Sequence, residues 1–549
     1  MPVPLVLLAL AVACVTKDGG AGGDGSVDSG RMDDTGSTGS ADADGDGYPV
    51  GVDCDDADPD VHPGADEVCG DGVDQDCDDT ELGCSGDLLA WDGAGTLKGN
   101  ADEQVYGVGG TLAVAHGWLE GVPVILAGTP WSEWTQKEPQ NVRGRIFALD
   151  EVGFRTASDI EAAARASLYQ DEWAKNFGFA LDVLDIDGDE VDDLLIGEPS
   201  TNFEGVGDGA AWIIPGPIVG EVSVHETDGV YLLGPDGKKR RAGSGVAFLT
   251  GTTGEGGLGI AMGWTGGCKE DYEGGIYLVD DSRWQSRTLD DFDVELHGEG
   301  PCMMNLGQVS AADLNGDGID DILTGAYDAG GSWLDREALS YQTGPGAAYV
   351  VYGPVHSSME LADADGRLLG VHDDAEFGAF FTTTSDLDGD GLPEILVGAP
   401  DQTTSDLDGG AAYVVPGPST AHHGLVTDVA TVTFEGDESD LHLGRSMSAD
   451  GDLDGDGHID PLVGASQGGG QVYAFRGPVE GTLTPADAAF SVRGAHDDDN
   501  FGNFYGWRSA ILTGEDLDGD GCDDWLAHAD LVDEGYIGAV YLFYGGVWD

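Results

Sequence analysis

The chain has 549 residues, of which 22 are Lys or Arg and 104 are Asp or Glu, for a formal charge of -82. So acidic a chain repels nucleic-acid phosphates and anionic lipids, which excludes them as partners and leaves cations as natural counterparts. Apolar residues at 40% and 92 glycines argue for a folded, turn-rich protein whose carboxylates are neutralised by bound divalent metal.

Residues 1–14 contain "VPLVLLALAVA", Val3 to Ala13, an apolar run too short to span a bilayer, and read as a secretion signal. The "AVAC" ending at Cys14 resembles a bacterial lipoprotein signal. The resemblance implies a lipidated Cys14 and an outer-membrane or cell-surface location, and a plain secretory signal would instead release the chain outside the cell. Residues 15–40, rich in Gly, Ser and Asp, form a flexible tether.

Residues 41–84 hold sixteen acids and no Lys or Arg, so no hydrophobic core is possible there. Four cysteines, Cys54, Cys69, Cys77 and Cys84, suit disulfide stapling in an exported protein. The run "DADGDGYPVGVDCDDADPDVHPGADEVC" resembles the MopE-type metal-binding motif of bacterial surface proteins, and Asp42, Asp44, Asp46 and Asp53 fit a twelve-residue calcium loop. Oxygen ligands favour calcium over copper here, because His62 is the one imidazole in the segment. Further on, Cys268 and Cys302 are expected to pair, leaving Cys522 an odd thiol.

Residues 87–549 are repetitive. Each unit starts with an aromatic or Leu followed by Gly, runs through a short strand into an acidic loop, continues into an apolar strand ending like "GAP", and then reaches a third strand. Plain copies start at Phe177, Leu306, Phe377, Leu443 and Phe501. Degenerate ones lie at "AGSGVAFLTGTTGEGGLGIAMGW" and "VYGVGGTLAVAHGWLEGVPVILAGTPW". Seven units of about four short strands predict an all-β, seven-bladed propeller. A solenoid is the alternative, but the chain ends on a third strand, "VYLFYGGVWD", and "DLLAWDGAGTLKG" ahead of the first unit can supply the missing outer one. Closure of that kind hides the sheet edges an open array would expose.

The acidic loops carry the chemistry. In "DLDGDGLPE", Asp386, Asp388, Asp390 and Glu394 place carboxylates at positions one, three, five and nine, and Gly391 supplies the turn. This is the start of a calcium loop, in which alternate oxygens converge on a hard cation. The same spacing gives Asp313, Asn315, Asp317 and Asp321; Asp452, Asp454, Asp456 and Asp460; and Asp516, Asp518, Asp520 and Asp524. Asp185, Asp187, Asp189 and Asp193 repeat it with Glu190 in the glycine position, predicting weaker binding or altered geometry. Asp and Gly also make ordinary polar hairpin turns, but five such loops in register favour metal.

These units resemble FG-GAP repeats, as in the β-propeller of integrin α subunits, over nearly all of 87–549. The resemblance implies about five structural calcium ions on one face, with one or more in the N-terminal motif, and ligand binding on the opposite face. On that face Trp131, Trp134, Trp333 and Tyr341 are candidate contacts for an extracellular protein or glycan. A monomeric, surface-tethered binding or adhesion module is the expectation. The alternative is a lyase or hydrolase with its site near the propeller channel. FG-GAP repeats also accompany a phospholipase D, whose catalytic domain is separate; no H-E-x-x-H, G-x-S-x-G elbow or P-loop occurs here, the "GASQG" at 464–468 being the "GAP"-like strand end of a repeat. The "HDD" triplets at His372 and His496 and the "KKRR" at 238–241 read as solvated turns.

Overall fold

The computed structural model describes residues 86–546 except 90–94, 100–104, 106, 120–121, 132–143, 158, 171–175, 201–208, 236–240, 252–256, 266–273, 281–283, 290–293, 300–306, 330–331, 336–339, 343, 404–407, 495, 497–498, 504–509 and 531–537; upstream it describes only 48, 54 and 61. Seven antiparallel sheets stand in a ring as the blades of a β-propeller. Blade 1 is built from Thr111–Leu119, Val122–Thr129, Arg145–Leu149 and Ala166–Tyr169, running from the innermost strand outwards. The innermost strands of neighbouring blades touch all the way round, and contact between Thr111–Leu119 and Ile511–Glu515 of blade 7 completes the circle.

The apolar residues fall into seven clusters, one per seam between blades. Between blades 1 and 2, Ile146 and Leu168 meet Ile196 and Trp212. Between blades 6 and 7, Phe490 and Phe501 meet Trp525, which stacks on Phe543 at 4.1 Å. The seam between blades 7 and 1 joins Leu526, Val540 and Leu542 to Ile125, Phe147 and Leu149. Strand alternation explains this arrangement: both faces of every blade are covered, so both side-chain sets along a strand are apolar.

Four of the unit-starting residues, Phe177, Phe377, Leu443 and Phe501, are fully buried in such seams. The glycine after each of these four has a positive φ, and at Gly378 (φ +80°) an added Cβ would lie 2.3 Å from the Ala347 carbonyl oxygen. The residue before a unit start is also left-handed, at Asn176, Arg241, Glu376, His442 and Asn500.

Closure follows the sequence expectation. Gly95–Lys98 pairs antiparallel with Ala539–Phe543, as the outer strand of blade 7. An additional rule was not foreseen: on its way from a blade's third strand to its fourth, the chain first lays a short parallel strand on the outer strand of the preceding blade. Gly220–Ser223 pairs this way with Ala166–Tyr169, His423–Leu425 with Gly366–Leu369, and Gly86–Leu89 with Phe490–Arg493 of blade 6. Where blade 7 would receive such a strand, two short helices pack instead, α1 (Glu151–Thr156) and α2 (Ile160–Ala163), with Phe154, Ile160 and Ala163 buried around Leu97. Each is N-capped by an aspartate, Asp150 and Asp159, whose side chain accepts from a first-turn N–H.

Cys522 is 1% exposed and disulfide-bonded, which corrects the expectation of an odd thiol. Cys54 is likewise bonded. Cys268, Cys302 and the other N-terminal cysteines lie outside the described residues. No helix among the described residues is long and apolar enough to cross a membrane.

Candidate metal centres

All five acidic loops of the propeller connect a blade's first strand to its second, and so share one face of the ring. Each is wound by its own carboxylates. The position-one oxygens accept from the backbone N–H groups of positions four to six, as when Asp313 accepts from Gly316 at 2.7 Å, Asp317 at 3.0 Å and Gly318 at 2.7 Å. The position-five carboxylate accepts from position seven, as Asp317 does from Ile319. In blade 2, Glu190 takes the left-handed conformation (φ 69°) of the glycine it replaces, and its N–H still reaches Asp185 at 2.9 Å. The geometry there is unaltered, and the non-glycine residue carries a steric cost of about 1–2 kcal/mol.

Turn chemistry accounts for those contacts but not for position nine. Asp193, Asp321, Glu394, Asp460 and Asp524 are at most 3% exposed, at the start of each second strand. One oxygen of each accepts from the second loop residue: Ile186, Leu314, Leu387, Leu453 and Leu517, at 2.7–3.1 Å. In the four aspartates the other oxygen accepts from a glycine just past the third strand: Gly216, Gly353, Gly477 and Gly545, at 2.7–2.9 Å. The ninth residue thus ties the loop to the far side of its own blade. Glu394 differs, because its buried Oε1 has no hydrogen-bond partner. An orphaned carboxylate oxygen facing three other acids is poorly arranged for a turn and well arranged for a hard cation.

Ligand atoms of Asp386, Asp388, Asp390 and Glu394 all lie within 4.8 Å of one another; so do those of Asp185, Asp187 and Asp193, of Asp452, Asp454 and Asp460, and of Asp516, Asp518 and Asp524. Asp189, Asp456 and Asp520 fall outside these groups. In blade 4, Asp313, Asp317 and Asp321 do not converge this closely, and the Asn315 amide nitrogen points at Asp321 at 3.1 Å. Turning that amide over would present its oxygen. The donor set is all oxygen and mostly anionic, which fits a hard divalent cation.

The electrostatics carry the same strain. Burial, and then the neighbouring loop acids, push Asp321, Glu394 and Asp460 up to about 7 and Asp524 up to about 8. Asp193 is raised for the same reasons.

A further set of acids, missed in the sequence, clasps blade to blade. At position eight, Asp192, Asp320 and Asp523 each accept from a backbone N–H of the preceding blade: His116 at 2.7 Å, Thr250 at 2.6 Å and Asp452 at 2.9 Å. Their own N–H groups donate back to the carbonyls of the same residues. Asp182 and Asp450 do similar work, accepting from Phe248 at 2.6 Å and Ser385 at 2.8 Å. The Asp-Asp doublet at positions eight and nine was the available signal.

Of the aromatic candidates on the opposite face, Trp131 packs over Gly107, and Trp134 lies outside the described residues. Trp333 and Tyr341 sit in a hairpin, Ser332–Asp335 paired with Ser340–Gln342, between the second and third strands of blade 4. His372 is exposed, and the His496 N–H donates to Asp499 in a turn. Lys238 to Arg240, Asp42, Asp44, Asp46 and Asp53 lie outside the described residues.

Comparison with known proteins agrees with this geometry. The FG-GAP repeat family matches residues 306–351 and 377–415, covering blades 4 and 5 with their loops, and the Cu-binding MopE metal-binding motif matches 53–81. The chain is 31% identical over 159 residues to integrin alpha-5 of Xenopus laevis, covering 29% of this chain and 14% of that one. Integrin alpha-4 of the same organism is 35% identical over 182 residues, 32% of this chain and 16% of the relative. Phosphatidylinositol-glycan-specific phospholipase D of Rattus norvegicus is 31% identical over 215 residues, 36% and 24% respectively. The matches thus span under a quarter of these relatives' lengths. A solved structure titled "Structure of Dos1 propeller" covers 78% of this chain at 9% identity, with a TM-score of 0.37.

Proposed function

We propose that this chain, which carries FG-GAP repeats in an integrin-α-like propeller and a MopE-type motif ahead of it, is an exported, calcium-stabilised binding module that engages a protein or glycan outside the cell. The observation that carries the calcium assignment is Glu394, buried, with one oxygen unpartnered beside Asp386, Asp388 and Asp390 in a loop the FG-GAP family matches. The ions would be held by the first, third, fifth and ninth loop residues, and their chemistry is charge neutralisation, not catalysis. Asp386, Asp388 and Asp390 orient the loop, and Glu394 anchors it to the second strand. With the cations committed to one face, the loops of the other, including the hairpin of blade 4, are left for the ligand. Lipidation at Cys14, with 15–40 as tether, would hold the module at a surface.

Thermal unfolding of the full chain in calcium and in chelator, with bound calcium counted by elemental analysis, tests the ion assignment. Several ions per chain and a steep loss of Tm in chelator are expected, and little calcium with an unchanged Tm refutes it. Binding of the calcium-loaded chain to arrayed matrix proteins and glycans, lost on substituting Trp333 and Tyr341, tests the ligand face. Hydrolysis or elimination in a panel of glycans and phospholipids would instead revive an enzyme.

A further inference from the structure

We infer that the five loops are unequal toward the cation, and that the loop of blade 6 carries its own counter-charge in Arg476, so that it fills last while the loop of blade 5 fills first. This rests on the reading of the loops as cation sites and concerns how the chain ranks them.

Arg476 is the residue before the glycine that ties the third strand to Asp460, and its Nε lies 2.7 Å from Asp454 Oδ2. The Asp454 side chain is 6% exposed and belongs to the group formed with Asp452 and Asp460. The guanidinium therefore already sits against the position-three carboxylate. In the other four loops the equivalent position is neutral: Pro215, Tyr352, Pro416 and Tyr544. A guanidinium cannot lose its proton in a protein, so its charge is permanent. A divalent cation entering blade 6 must either share Asp454 with Arg476 or displace it, and both cost affinity. Blade 5 is the opposite case: four carboxylates converge, Pro416 brings no charge, and Glu394 Oε1 is buried without a partner. Blade 4 stands between, since the neutral Asn315 replaces one carboxylate.

Arg476 thus supplies in the protein itself the neutralisation that other blades draw from solution. Blade 6 keeps its loop wound when calcium is scarce, and the seam it shares with blade 5 joins the least to the most ion-dependent loop.

The test is hydrogen exchange of the full chain across a calcium titration, with bound calcium counted in parallel, for wild type and Arg476→Gln. In wild type, amides of 386–394 gain protection first, and 452–460 respond only at about tenfold or more higher calcium, the scale on which groups just outside a metal site act. Arg476→Gln brings the blade 6 midpoint down toward the others. Equal midpoints for the two loops in wild type overturn the inference, a result that needs no variant to fold. So does a blade 6 midpoint unmoved by Arg476→Gln. Absence of calcium binding by either protein overturns the cation reading itself, and the ranking with it.

Discussion

Replacing Glu394 with Gln should stabilise the protein in one condition and destabilise it in another. The carboxyl is fully buried, one oxygen is unpartnered, and burial with the charges of Asp388, Asp386 and Asp390 lifts it from 4.5 to about 7. For an acid raised in this way, the folded state holds the proton more tightly than the unfolded one. Stability without metal is therefore greatest below pH 4.5, falls as pH rises through 7, and is level above that. At 1.36 kcal/mol per unit the charge costs the wild type about 3 kcal/mol at pH 8. Gln keeps an acceptor for the Leu387 N–H, removes that charge, and turns amide donors toward the three aspartates. In chelator at pH 8, Glu394→Gln should gain up to about 3 kcal/mol over wild type in urea unfolding, and the gain should vanish at pH 4.5. With calcium the order inverts: a site with Kd near 10⁻⁴ M, at about 10 mM calcium, stabilises wild type by about 2.7 kcal/mol, and the variant lacks most of that. A variant less stable than wild type in chelator at pH 8, or one with an unreduced response to calcium, would refute the claim that this carboxylate is held for a cation.

Calcium affinity should weaken as pH falls from 8 to 6. Asp321, Glu394 and Asp460, at about 7, and Asp524, at about 8, bind protons that the ion must displace, so calorimetric midpoints should rise by up to about tenfold per pH unit. Asp182→Ala removes the acceptor of the Phe248 N–H between blades 2 and 3 and should cost about 1–3 kcal/mol in urea unfolding at pH 5. Burial raises the Asp182 carboxyl to about 6, so wild type loses stability between pH 3.8 and 6 while the variant does not, and the difference should shrink at pH 8. Leu97→Ala hollows the closing seam around a residue with no exposure and should cost about 2–5 kcal/mol, with early proteolysis in blade 7.

The blades and the closing strand were legible because each unit repeats a short local pattern, and the phenylalanine-glycine starts and DxDGDG loops announce themselves within a dozen residues. What stayed hidden links residues distant in sequence. The partner of Asp192 is the backbone of His116, and that of Asp182 is Phe248, contacts between blades that no local period marks. The tie from Asp460 to Gly477 was hidden for another reason: its donor is a main-chain N–H, which any sequence offers. The left-handed Glu190 shows the reverse error, since the sequence suggested a distorted loop and the hydrogen bonds to Asp185 impose the same turn on a less suitable residue. The helices at blade 7 escaped notice because a six-residue and a four-residue helix are too short for an amphipathic period.

The segment that closes the ring first crosses to another blade. Gly86–Leu89 lies along blade 6 before Gly95–Lys98 completes blade 7. A pull that reaches Gly86 meets the pairing on blade 6, and passes to the ring-closing strand only after those four residue pairs have parted. Gly86–Leu89 is thus a mechanical fuse: it can peel away and re-form while the circle behind it stays shut.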